Sequence, residues 1–360
     1  MRTHLLKVPF ILRVFPYTKN VYINKLFHKH VDLMRTNLFK LSGLKIKPLS
    51  EREHSLTVDC IQDLQPQSSA LVEQFKPVAQ KMVQAKADGA ANILMMGAHV
   101  IRSGVQRFLV DLMERGYLQC LAMNGACIIH DYEFARIGAT TEGVARYIKT
   151  GEFGFWKETG EINNIVNTAF KANPQDGLGA AVGRAIEASN FPYKDISLMA
   201  HAARLQIDAT IHVCIGQDII HQHPNFDGAA TGGLSHHDFL RFAAWMEKLE
   251  GGVIMNFGSA VTAPEVFLKG LSMARNRALQ AGRNIRNFTT LVCDLHDLPD
   301  TYHEEAPKDS AAYFFRPWKT MLVRTVAEGG QSHYIKGFHG ETIPALWEAI
   351  NRAETQTPGQ

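Results

Sequence analysis

The sequence predicts an α/β protein: a doubly wound, mainly parallel sheet. Three observations predict it. Short apolar runs recur at residues 93–96, 118–123, 209–215, 253–257 and 288–295, each the length of a strand buried on both faces. Stretches with apolar residues at helical spacing separate them. Three of the runs end in glycine with small or polar residues, at Gly97-Ala98, Asn124-Gly125-Ala126 and Gly258-Ser259-Ala260.

Taken in order, residues 70–89 read as a helix whose broad apolar face carries Leu71, Val72, Phe75, Val78, Met82 and Val83. Gly97 ends the strand 93–96. Ser103 is placed to cap a helix bearing Val105, Phe108, Leu109, Leu112 and Met113, which Gly116 stops before the strand 118–123. Strand, helix, strand is a βαβ unit with an expected right-handed crossover. Residues 131–149 read as a helix with a break at Thr140-Thr141-Glu142. Residues 151–157, rich in glycine and aromatics, suit a loop near a site. Helices are expected over 161–170 and 195–205, and again over 237–249 and from Pro264 to Gly282. Residues 302–312 read as a loop, Tyr334-Ile335 as a last strand, and a helix opens near Thr342.

Composition narrows the function. The apolar fraction of 46% is that of a globular protein, and no uninterrupted apolar run reaches the roughly eighteen residues of a membrane span, so no membrane partner is expected. The five cysteines are scattered without zinc-site spacing, which fits buried thiols and a cytoplasmic location. The net charge of +3 is uneven: residues 1–50 hold ten Lys/Arg and one acid, leaving the remainder at −6. An acidic body excludes nucleic acid as a partner of the core. The basic residues 1–60 read as an extension (a targeting peptide, a binding arm or an unstructured leader), and 61–355 as one domain.

The glycine turns each precede a helix, where backbone N–H groups and the helix dipole favour an anion such as a phosphate, or where glycine merely reverses the chain. Five histidines fall within 26 positions: His212, His221, His223, His236 and His237. His221 and His223 with Asp218 line either a polar substrate pocket or a metal site. His130-Asp131 reads as a general base with an orienting carboxylate, or Asp131 as a helix cap. Lys319, beside Trp318, is a candidate amine nucleophile if aromatic surroundings lower its pKa from about 10.4.

The order 97–104, then Met123-Asn124-Gly125-Ala126, then Gly258-Ser259-Ala260-Val261, resembles the deoxyhypusine synthase family, most closely a divergent bacterial branch. The resemblance covers residues 70–350. It implies a Rossmann-like fold with NAD as cofactor, bordered by Ala98, His99, Val100, Ile101, Arg102, Asn124, Gly125, Ala126, Gly258 and Ser259. It further implies a homotetramer that moves an aminobutyl group from a polyamine such as spermidine to a lysine or amine acceptor, on a protein in that family, making hypusine chemistry. Lys319 would form the imine and Asp218 would lie near the polyamine. The chain departs from the family where Ile129 and His130 replace paired acids and where Arg316-Pro317 precede Trp318-Lys319. Two alternatives accompany this reading: a metal-dependent hydrolase using His221 and His223, and a non-catalytic scaffold.

Overall fold

The computed structural model describes residues 38–356. The compact unit begins at Leu44. Eight strands lie among the described residues: β1 (His54–Thr57), β2 (Asn92–Met96), β3 (Cys120–Asn124), β4 (Ala139–Glu142), β5 (Asp208–His212), β6 (Val253–Phe257), β7 (Thr289–Asp294) and β8 (Gln331–Lys336). Six form one sheet in the order β5-β3-β2-β6-β7-β8, and every pair in it is parallel. The chain enters the sheet at β2, builds outward to β5, returns to β6 beside β2, and builds out the other way. This is a doubly wound Rossmann-like sheet with its switch point between β2 and β6.

The apolar runs become strands because both faces of the sheet are covered. All five residues of β2 and of β6 are buried. Side chains alternate between two cores, as a period of two requires. Leu94, Met96, Leu121, Met123, Met255 and Phe257 join one core, and Ile93, Met95, Cys120, Ala122 and Ile254 the other. The covering helices are α1 (Ala70–Asp88), α2 (Ala98–Arg102), α3 (Gln106–Glu114), α4 (Gly125–Ile137), α5 (Val144–Tyr147), α6 (Lys157–Ala172), α7 (Leu178–Glu187), α8 (Leu198–Arg204), α9 (Gly228–Met246), α10 (Thr262–Gln280) and α11 (His339–Gln356). No helix among the described residues is long and apolar enough to cross a membrane.

Four expectations change. Ser103 does not cap α3: its hydroxyl donates to the His99 carbonyl at 2.7 Å and closes the additional short helix α2. The helix expected over 131–149 starts earlier, at Gly125, and ends at Gly138 in the left-handed region. The chain then enters strand β4, which pairs antiparallel with β1. That pairing moves the domain boundary from residue 61 to Leu44, because residues 44–60 are held by tertiary contacts that a polar four-residue strand does not advertise. Residues 1–37, and with them most of the expected extension, lie outside the described residues. Finally, α9 begins nine residues before the expected 237, where the Asp227 carboxylate accepts the amides of Ala229 and Ala230 at 2.8 and 3.1 Å.

Helix α7 has no strong sequence signal because glycines interrupt it, and packing explains them. A Cβ on Gly179 would lie 1.8 Å from the Ala209 carbonyl oxygen of β5, against its backbone. Gly179→Ala must therefore push α7 off the sheet edge. We expect it to destabilise the fold by about 1–3 kcal/mol, the usual range for overpacking, read as a lower denaturant midpoint at unchanged slope.

Candidate functional site

Strand β3 ends at Asn124, whose side chain accepts the Cys127 amide at 3.3 Å and starts α4. One face of α4 carries Ala126, Ile129, His130 and Glu133, three and four residues apart, so all four point the same way. They form one wall of a cavity of about 210 Å³. Arg52, from before β1, Arg102 of α2, Glu142 of β4 and Asp218, from beyond β5, contribute to the other walls.

Glu133 is the most heavily bonded of these groups. Arg52 donates to its two oxygens at 2.8 and 2.7 Å, Thr140 at 2.6 Å and Thr159 at 2.5 Å. Burial alone would push this carboxyl up, but the Arg52 guanidinium and the two hydroxyls outweigh it and hold Glu133 below the usual range. His130 lies one turn away, its Nδ1 2.7 Å from the Thr140 hydroxyl. Burial lowers its imidazole to about 4, so the ring is neutral at pH 7. Glu142 accepts the Trp156 indole N–H at 2.9 Å and the Gly154 amide at 3.1 Å.

Two charged groups in the walls are less engaged. Arg102 meets only His99, Nη1 to Nε2 at 3.3 Å; its Nε is buried without a partner, and no carboxylate of the described residues pairs with it. Asp218 caps its own turn, and burial raises its carboxyl to about 6. Its Oδ2 sits so close to α4 that a Cβ on Gly125 would lie 2.0 Å away. That contact is why residue 125 is glycine. His221 aids the placement: Nδ1 accepts the Gly216 and Asp218 amides at 3.0 and 3.2 Å, which leaves the ring's proton on Nε2, 3.7 Å from Asp218.

The structure brings Asp218, His130, Ala126 and Arg102 to one cavity and sends the other expected residues elsewhere. Asp131 does not orient His130. It faces away from the cavity and accepts Ser197 Oγ at 2.5 Å and the Leu198 and Met199 amides at 2.8 and 3.2 Å, capping α8. Adjacent helix residues point about 100° apart, so a His-Asp neighbour pair on α4 cannot meet. His223 Nε2 donates to the Gly154 carbonyl at 2.7 Å and the ring packs under Gly160. With both imidazoles tied to backbone, and no group of three His, Cys, Asp or Glu placed to share a metal among the described residues, the metal-dependent hydrolase reading is set aside. Lys319 lies outside the cavity on a π-helical turn, Trp318–Arg324, with Nζ 3.9 Å from the Tyr313 ring centroid.

Val100 and Ile101 are core residues of α2, so only their backbone could border a ligand. His99 and Ala98 remain at the sheet edge. Gly258 has φ +67° and abuts Gly97: a Cβ on Gly97 would lie 2.4 Å from the Gly258 carbonyl oxygen. Ser259 accepts the Ala263 amide at 3.1 Å and opens α10. These turns therefore meet at the switch point between β2 and β6.

Comparison with known proteins gives one family match and several similar solved structures. Residues 76–173 match the family model of the arginine dihydrolase ArgZ-like C-terminal Rossmann-fold domain. That family is one of enzymes. No curated protein matches the sequence. Solved structures similar to this chain include ArgZ, an arginine dihydrolase from the ornithine–ammonia cycle in cyanobacteria, at 16% identity and TM-score 0.46, covering 79% of this chain and 33% of that one. A LOR/SDH protein from Methanococcus maripaludis S2 matches at 14% and 0.48, covering 81% and 73%. AgrE in ternary complex with ornithine and NAD+ matches at 15% and 0.45, covering 83% and 35%. The chain spans about a third of the length of ArgZ and of AgrE.

The family match corrects the resemblance to deoxyhypusine synthase. It spans residues 97–104 and 123–126, two of the three segments that carried that resemblance, and assigns them to a different family. Aminobutyl transfer, spermidine and hypusine chemistry and the imine role of Lys319 fall with it.

Sequence reasoning missed Arg52, Glu133 and Thr140. Glu133 follows His130 by three on a helix, a spacing that marks a shared face; Arg52 lay in the segment set aside for its composition. Arg52→Met would leave the Glu133 carboxylate buried beside two hydroxyls alone. We expect a loss of about 3–5 kcal/mol, typical of breaking a buried pair from one side, measured by urea unfolding. The contribution of the pair is complete above the unfolded glutamate value of about 4.3 and disappears as pH falls through the lower folded-state value, so wild type and variant should converge toward acid pH.

Proposed function

We propose that this chain is an NAD-binding enzyme whose substrate is a small amine that also carries a carboxylate, an amino acid. One observation carries the reading: a single cavity at the carboxyl edge of the sheet holds Arg102, without a carboxylate partner among the described residues, and Asp218, whose carboxyl burial raises to about 6. A cation and an anion in one small chamber match a zwitterion, whereas a diamine would leave Arg102 unanswered.

The cofactor part rests on the fold. Dinucleotides in sheets of this order lie across the switch point, here bordered by Gly97, Gly258 and Ser259, with the Asn124-Gly125-Ala126 turn on the side of the cavity. The chemistry such a cofactor supplies is acceptance of a hydride from the substrate carbon. Arg102 would fix the carboxylate, Asp218 the ammonium, and the walls from Ile129 and Phe153 would exclude water. The ArgZ-like family match, which covers β2, β3 and α4, supports an enzyme of this fold type.

The test is calorimetry of NAD followed by L-ornithine, L-lysine and putrescine, with absorbance read at the NADH band. An amino acid should bind and putrescine should not; equal binding of putrescine, or no binding at millimolar concentrations, overturns the reading. Arg102→Ala should weaken the amino acid by about 10- to 100-fold, the value of a charge-assisted hydrogen bond.

Asp218 gives the pH dependence. Its raised carboxyl is neutral below about pH 6 and charged above it. Affinity for the ammonium-bearing ligand should therefore fall as pH drops through 6, and Asp218→Asn should give a flat, weak profile between pH 5 and 8 by the same calorimetric measurement.

A further inference from the structure

We infer that Glu133 and Thr140 lock His130 in the Nδ1–H tautomer, which makes its Nε2 a permanent hydrogen-bond acceptor in the cavity for an N–H of the substrate. The available protons fix this state. Glu133 is ionised and accepts two bonds from Arg52, so it has no proton to offer Thr140. The 2.6 Å contact between Thr140 Oγ1 and Glu133 must then carry the threonine's single hydrogen. Thr140 Oγ1 is left with lone pairs toward His130, and the 2.7 Å contact with Nδ1 requires that the imidazole donate. The neutral ring has one N–H, now committed, and the remaining lone pair is on Nε2.

His130 is part of the cavity wall, and among the described residues no protein group bonds its Nε2. The groups around the ring are Glu133 on its own helix, the guanidiniums of Arg102 on α2 and Arg52 before β1, and the His99 ring on α2. Burial, aided by the two guanidiniums, outweighs Glu133, so the neutral imidazole persists across the physiological range. The consequence is an imidazole that offers acceptance only. Beside Asp218 it selects a ligand that donates, and it disfavours one that presents a bare oxygen. Thr140, Glu133 and Arg52 are positioning residues acting through His130; the identity of the donor as a substrate amine rests on the function proposed above, while the lock itself does not.

The experiment is long-range 1H–15N correlation spectroscopy of the histidine rings in the full chain, with His130→Gln to assign the signal and Thr140→Val and Thr140→Ser to test the relay. We expect a pyridine-like Nε2 and a protonated Nδ1 in wild type and in Thr140→Ser, and a mixture of tautomers in Thr140→Val. A protonated Nε2 in wild type, or an unchanged pattern in Thr140→Val, overturns the lock. The wild-type spectrum decides this even if Thr140→Val does not fold. Addition of L-ornithine with NAD should move the Nε2 resonance upfield as the lone pair accepts a bond; calorimetric binding without that movement overturns the acceptor role. Absence of any calorimetric binding sinks the proposed substrate class, while the tautomer pattern still judges the lock.

Discussion

A buried carboxylate, Glu133, organises the site end of this molecule. An ion of this kind removed from water costs several kcal/mol unless its lone pairs are answered. Four donors from three separate places answer these: Arg52 ahead of β1, Thr140 on β4 and Thr159 on α6. Each donor brings a segment with it. Arg52 anchors residues 44–60, whose strand β1 then pairs with β4. Thr159 fixes the start of α6, and Thr140 holds His130. Stability alone does not demand this set, since replacing a buried ion pair with well-packed apolar residues is often neutral. An apolar set would not hold an imidazole in one tautomer. Asp131, two residues away and equally buried, shows the contrast: with backbone amides and one serine but no cation, burial prevails and its carboxyl rises to about 6.

The position of the cavity follows from close approaches at the sheet edge. At the switch point the turns after β2 and β6 are in contact, with the Gly97 Cα pressed toward the Gly258 carbonyl and Gly258 toward His339. Space opens beside this contact, on the side of β3 and β5, where β3 hands over to α4 and the loop beyond β5 carries Asp218 back across Gly125. The three glycines therefore do different work. Gly97 lets backbone meet backbone, Gly258 leaves room for the His339 ring, and Gly125 admits a carboxylate to the helix N-terminus, where a negative group is favoured by the dipole.

Legibility from sequence tracked how local each cause was. The strands β2, β6 and β7 were readable because a strand covered on both faces must be apolar throughout. The parallel order was readable from alternation. Strand β1 and Arg52 were not, because four residues alternating between half-buried and exposed carry no pattern above background. His130 was found for the right residue type with the wrong partner: Asp131 is nearest in sequence, but the ring bonds Thr140 and, through it, Glu133, which shares its helix face at i+3. The pairing of His221 with His223 assumed an extended segment, whereas residues Ile219–Gln222 form a 3-10 turn that turns the rings to different backbone partners. The glycine turns that suggested deoxyhypusine synthase are what any sheet edge of this kind needs, so they reported the fold and not the reaction.

What the cavity can recognise is decided by which of its polar groups remain unanswered. Glu133 and Glu142 line it, yet both are engaged, one by guanidinium and hydroxyls, the other on each oxygen by an indole or an amide. Arg52 is engaged likewise, with Nε to His54 at 3.0 Å and both terminal nitrogens to Glu133. Setting these aside changes the character of the chamber. A count of charged residues would call it strongly ionic; among the described residues the charged or imidazole groups still able to bond a guest are Arg102, Asp218 and the Nε2 of His130, joined by the neutral Thr141 hydroxyl, buried without a partner, and the Gln217 amide. One cation, one carboxylate poised near ionisation and one neutral acceptor make a polar site with little net charge above pH 6 and a positive one below it. Selectivity in such a site comes from leaving a mismatched guest with an unpaired group, a cost of about 1–3 kcal/mol for each. The scaffold's many buried ions thus serve to keep a small number of others in place and unpaired.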